Sequence, residues 1–234
     1  MPLWQPQPAP GRYGVLLLLL IAGYLISAFF SGRWVAALQV VVFTTVALLA
    51  LRSSPVSRRA VRMLLIVAFV GVPVFFTLSL STATGDVGTG VANLWTGVVL
   101  FAAAAMIVRR VLAFGTVTLQ SIYGALSAYM IVGLMFAAFF AAIYHFSGDH
   151  FFANNQPGNT QTFQYFSFTT LTTLGYGDFT ALESSGRAVA VMEALTGQVF
   201  LATLVARLVA AFRTSGDQES SSGDRESSSG DPES

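Results

Sequence analysis

Apolar residues along this chain gather in six long blocks. They run from Val15 to Phe30, Trp34 to Leu51, Met63 to Leu80, Val91 to Val108, Leu119 to Phe146 and Ser184 to Phe212. Apolar runs of about 18 residues or more are long enough to cross a bilayer as helices. Polar segments separate them: Ser31-Gly32-Arg33 as a tight turn, an Arg cluster from Arg52 to Arg62, a Gly-rich loop from Ser81 to Gly90, a break at Gly115-Thr116, and a polar turret from Ser147 to Thr160. The third block is expected to kink near Gly71–Pro73. One segment breaks the series. Gln161 to Thr172 is aromatic and Thr-rich but too short to span, so it reads as a half-membrane helix capped by Asn159 or Thr160. The first block follows Arg12 as a signal-peptide core would. Phe29-Phe30 stands where small cleavage-site residues belong, so a retained helix is expected.

Composition supports this picture. The 234 residues are 54% hydrophobic and 10% charged, where a soluble domain carries roughly 25% charged residues. A net charge of +1 gives no reason to expect nucleic acid as a partner. There is no Cys, so disulfides, thiol nucleophiles and Cys-based metal sites are excluded. All twelve cationic residues are Arg, which with the Ala, Val and Gly richness suits a GC-rich bacterial genome. Their placement sets an orientation. With both termini cytoplasmic, Arg12, Arg52, Arg58, Arg59, Arg62, Arg109, Arg110, Arg207, Arg213 and Arg225 fall inside, and only Arg33 and Arg187 outside. That agrees with the positive-inside rule.

The candidate chemistry lies in Thr172-Thr173-Leu174-Gly175-Tyr176-Gly177-Asp178. Two glycines alternate around one aromatic, and Gly takes positive φ without strain. A backbone alternating between left- and right-handed φ/ψ can turn successive carbonyl oxygens to one side, and Thr173 can add a hydroxyl at the inner end. Rings of such oxygens replace the hydration shell of a monovalent cation. A Gly-rich break at membrane depth is tolerated only where it is buried in protein or lines a wet cavity.

This run resembles the potassium-channel signature, with Leu174 where the commonest version has Val. From about Leu119 to Phe212 the chain is similar to a potassium-channel pore module, and Tyr165 to Asp178 resembles bacterial members especially. The resemblance implies K+ binding by Thr173, Leu174, Gly175, Tyr176 and Gly177. It implies support of the filter by Tyr165, Phe166, Thr169, Thr170, Thr172 and Asp178, with Tyr165, Phe166 and Tyr176 as an aromatic cuff. Gly197 stands where the family commonly has a gating-hinge glycine; the alternative is a close-packing glycine. Thr169 occupies the place of a pore-helix carboxylate found in some members, so that pairing with Asp178 is missing. Tyr165 replaces a common Trp, and its hydroxyl can still donate to Asp178. One filter segment per chain requires four chains around a pore, hence a homotetramer.

The expected fold is therefore an all-α membrane protein with six transmembrane helices, a pore helix and a filter loop. Residues 1–14 form a cytoplasmic lead-in, 15–113 a four-helix transmembrane domain, 119–212 the pore domain, and 213–234 a disordered low-complexity tail in which Ser-Gly-Asp recurs at 215, 222 and 229. The fourth block contains no charged residue, so the first four helices resemble a voltage sensor in number only.

Glu193 is a carboxyl inside the sixth block, one turn before Gly197. Such a group is a functional candidate by default. It is either a structural partner of pore-helix hydroxyls such as Thr169 or Thr170, or a gating or proton-sensing group. Arg207 is expected to snorkel. His145 and His150 read as solvated loop residues, and Asp149, Asp178 and Glu183 give the mouth negative charge. No nucleotide loop or nucleophile–base arrangement suggests an enzyme. The expected function is passive K+ conduction in a cell membrane. The alternatives are a poorly selective cation channel and a non-conducting regulatory or scaffold subunit.

Overall fold

The computed structural model describes residues 12–30, 85–113, 118–148 and 150–228. The expected second and third spans and the Gly71–Pro73 kink lie outside the described residues. Five helices follow in order: α1 (Arg12–Phe29), α2 (Gly85–Ala113), α3 (Leu119–Phe146), α4 (Thr160–Leu171) and α5 (Ser184–Ser228). Among the described residues, Val87–Arg109, Leu119–Phe146 and Ser184–Ala210 are long and apolar enough to cross a membrane, and Tyr13–Phe29 is a shorter apolar helix. The described residues are thus all-helical in their regular structure and support a multi-pass membrane protein.

Two boundaries differ from the sequence reading. α2 begins at Gly85, inside the stretch expected to be loop. Its first turns are useful as helix because Gly90 brings bare backbone under the ring of Phe146. α5 continues to Ser228, into the segment expected to be irregular. Extending an existing helix adds one backbone hydrogen bond per residue fixed, so poor helix formers can be carried along once a long span has nucleated.

α2 and α3 pack antiparallel. Gly90 meets Phe146, Gly97 meets Phe139, and Val111 meets Gly124. Small residues at these crossings let the helices approach closely, as membrane helices do in the absence of a hydrophobic drive between them. α3 is the centre of the fold: Ala128, Ile131 and Phe140 are fully buried, and α1, α2, α4 and α5 all pack on it. Its N-terminus is fixed by a capping box between Thr118 and Ser121. At one end of an apolar crevice of about 670 Å³ between α2, α3 and α5, Arg207 Nη1 donates to Val111 O at 2.6 Å. This satisfies a carbonyl of the last turn of α2.

α1 is bound to the half-membrane helix α4 as well as to α3. Ser27 Oγ lies 2.6 Å from Gln164 Oε1, both buried, and the Tyr24 and Phe168 rings meet edge-on at 4.9 Å. Ser27→Ala would leave the Gln164 amide short of a partner in an apolar surround, at a cost of about 1–3 kcal/mol. Thermal unfolding of the purified protein should show a lowered midpoint for this variant. An unchanged midpoint would mean that the pair does not hold α1 to α4.

Candidate functional site

The site is built from α4 and the loop that follows it. α4 starts at a capping box in which the Asn159 side chain accepts from Thr162 N and Thr162 Oγ1 accepts from Asn159 N, each at 2.9 Å. Phe163, Gln164, Ser167 and Leu171 form its buried stripe at i, i+1, i+4 and i+8. The helix ends at Thr172, whose hydroxyl donates to Phe168 O at 2.7 Å. The chain then reverses under the control of one carbonyl: Thr169 O accepts from Leu174 N at 2.8 Å and from Gly175 N at 3.2 Å. Thr169 thus supports the loop with its backbone, while its hydroxyl turns back to Phe166 O.

Positive φ falls at every second residue of the loop: Thr173 at 58°, Gly175 at 53° and Gly177 at 82°. Leu174 and Tyr176 between them do not share it. For the glycines this conformation is free of Cβ strain. For Thr173, a β-branched residue, it costs about 1–3 kcal/mol and persists only where the surroundings impose it. Thr173 N is held to Thr170 O at 3.0 Å, and Gln198 Nε2 donates to Thr173 Oγ1 at 3.3 Å. Leu174 and Tyr176 are 54% and 69% exposed in the single chain.

The outer end is anchored by Tyr165 Oη, which donates to Asp178 Oδ2 at 2.8 Å. That hydrogen bond holds the Tyr165 phenol above its ordinary range. The three residues assigned to an aromatic cuff are not gathered within one chain. Phe166 is buried against Phe140, Phe151 and Phe152, Tyr165 packs on Phe179, and Tyr176 stays exposed. The turret is also less polar than expected. Phe151 and Phe152 are buried beneath it, and a short antiparallel bridge joins it to the chain leaving the loop: Leu182 N donates to Phe151 O and Ala153 N to Thr180 O. The Phe151-Phe152 pair, apolar within a polar stretch, was the available signal for this clamp.

The inner end is fixed by three contacts. Gly197 lies so close to α4 that a Cβ there would fall 2.3 Å from Leu171 O. Tyr129 Oη donates to the same Leu171 O at 3.1 Å. Glu193 is fully buried, and its Oε1 lies 2.5 Å from Ser167 Oγ, which also lies 2.6 Å from Gly133 O. The partner of Glu193 is therefore Ser167, and neither Thr169 nor Thr170. Ser167 belongs to the buried stripe of α4, whereas the two threonines lie beside it. The sequence reading also missed Tyr129 and Gln198. Glu193 Oε2 is buried with no hydrogen-bond partner.

Helix, half-helix, tethered loop and helix together place an irregular, hydrogen-bonded backbone segment between two helices long and apolar enough to cross a membrane. Among the described residues no group of His, Cys, Asp or Glu is arranged to hold a metal ion. Residues 132–214, from within α3 into α5, match the family model described as an ion channel. The match supports an ion channel in a multi-pass membrane setting rather than an enzyme. No curated protein and no solved structure matches the chain.

The triad of Gly133 O, Ser167 and Glu193 generates a prediction. One hydroxyl proton serves two neighbouring oxygens, and a protonated carboxyl or an amide at position 193 can supply a second. Glu193→Gln should therefore unfold within about 0.5 kcal/mol of the parent. Glu193→Ala should lose about 1–3 kcal/mol and open a cavity. Thermal unfolding of both variants in detergent checks this, and equal stability of the two would refute the tether.

Proposed function

We propose that this chain forms the pore of a potassium-selective channel as a homotetramer. The observation that carries the reading is the alternation of positive φ at Thr173, Gly175 and Gly177 with the turn pinned to Thr169 O. K+ would exchange its hydration shell for the carbonyls of Thr173, Leu174, Gly175, Tyr176 and Gly177, with the Thr173 hydroxyl at the innermost site. Ions would then advance by displacing one another between adjacent sites. The C-terminal end of α4 adjoins Thr173, and the partial negative charge of a helix C-terminus favours a cation there.

A single chain presents this backbone from one side only, so four are needed to enclose an ion. The outward apolar residues Val191, Leu195, Val199 and Val205 of α5, all more than half exposed, fit an inner helix that meets its copies. Tyr176, exposed in one chain, would complete the aromatic cuff in the assembly. Residues 119–212 act as the pore domain. Both termini face the cytoplasm of the cell membrane, and Asp178 faces outside. Gly197 and Glu193 bind the inner helix to the pore helix, so gating movements of α5 pivot about that contact or break it. Val91 to Val108 are helical and carry no charge, which supports a channel without a voltage sensor in α2.

The test is ion flux from liposomes containing only this protein, comparing K+ with Na+. K+ efflux well above Na+ efflux is expected. Equal rates would point to a poorly selective channel, and no flux to a non-conducting subunit. Gly175→Ala should conduct poorly or lose discrimination against Na+ while still assembling, because a Cβ strains the backbone at φ 53°. Wild-type selectivity in that variant would contradict the proposed filter geometry. No gating current of several elementary charges per subunit should be measurable.

A further inference from the structure

We infer that Gln198 is a ligand of the permeating cation at the inner entrance of the filter and the residue that positions the Thr173 hydroxyl. The inference rests on the pore reading above and adds a cation site to it. Gln198 Nε2 donates to Thr173 Oγ1 at 3.3 Å across 25 positions of sequence, and both residues are exposed on the single chain. An amide carries its donor and its acceptor on opposite sides of one trigonal carbon. With Nε2 given to Thr173, Oε1 is left as an acceptor on an exposed side chain.

The surroundings of Gln198 point the same way. On α5, the positions one and two turns away on its face are Val191, Ala194, Leu195, Leu201, Ala202 and Val205. The nearby hydroxyls of Thr196 and Thr203 are turned back onto Met192 O and Val199 O. Gln198 is therefore a polar residue in the middle of an otherwise apolar strip. An amide facing lipid tails would carry an uncompensated desolvation cost, so a wet cavity is its favourable setting. Gly197 makes the approach possible, since any Cβ there would strike Leu171 O and push α5 away from Thr173.

Four copies would place four amide oxygens just below four Thr173 hydroxyls. These are neutral carbonyl donors of the kind that replaces a cation's hydration water in the filter itself. The N–H donated to Thr173 Oγ1 also takes one lone pair and keeps the hydroxyl proton from pointing at Gln198. This leaves the second lone pair for an ion. Gln198 thus begins dehydration before the ion reaches Thr173.

Single-channel conductance of the full-length protein in planar bilayers, measured against K+ concentration, tests this. Gln198→Leu keeps the size and removes both polar ends. The half-saturating K+ concentration should rise about two- to tenfold, the factor carried by one net hydrogen bond, with maximal conductance less affected. Gln198→Glu keeps an acceptor and adds negative charge, so its half-saturating concentration should fall below that of the parent. A parental saturation curve in Gln198→Leu overturns the inference. So does a variant that only lowers the number of active channels, since a purely structural residue does that. If Gln198→Leu does not assemble, an unchanged half-saturation in Gln198→Glu overturns it. A parent protein that passes no K+ at all removes the pore reading and this site with it.

Discussion

The last turn of α4 is the constraint on which the site depends. Its carbonyls would normally be left without partners at a helix end. Here Thr169 O captures the amides of Leu174 and Gly175, and Leu171 O takes the Tyr129 hydroxyl while lying against Gly197. A helix terminus, an outer helix, an inner helix and the loop are thereby referred to one small patch of backbone. The strained φ of Thr173 is tolerable because both sides of it are tied to this patch.

Burial beyond that patch is divided unevenly. α3 is packed from several directions, and Phe140, Phe151, Phe152, Phe163 and Phe166 form an aromatic mass behind the outer half of the loop. Edge-to-face rings in this mass resist sliding as well as separation. α5, in contrast, touches its own chain along a narrow line through Glu193 and Gly197 and leaves most of its apolar surface uncovered. The rigid half of the site is thus intrinsic to the chain, and the half that would enclose an ion is left to other copies in the proposed assembly.

The legibility of these features followed the range of the interactions. The fifth span and the half-membrane helix were readable because length and composition determine them, and of the two caps offered, Asn159 and Thr160, the structure uses Asn159. The alternation at Gly175 and Gly177 was readable because only Gly takes that φ cheaply, whereas the same conformation at Thr173 is held by its bond to Thr170 O and by the distant Gln198. Glu193 was recognisable as an unusual carboxyl in an apolar helix, with a bond to the pore helix as one of two readings. Its partner required the register of α4, in which Phe163, Ser167 and Leu171 share the buried face. Gln198 gave no local signal, because its contact depends on how closely Gly197 lets two helices approach.

The attachment of α1 extends this argument to the rest of the chain. Ser27 and Tyr24 reach Gln164 and Phe168, residues on the same helix whose end holds the loop. Gly133 of the outer helix also meets the Phe168 ring, because its missing Cβ leaves room for it. Phe168 is therefore clamped between the first helix and the outer helix, one residue before the carbonyl that pins Leu174. A displacement of α1 would be felt at that carbonyl through rigid helix rather than through a flexible loop. In the proposed channel, α1, whose apolar run after Arg12 carries no charge, would bear on the filter through these contacts rather than through a charge moved by the field.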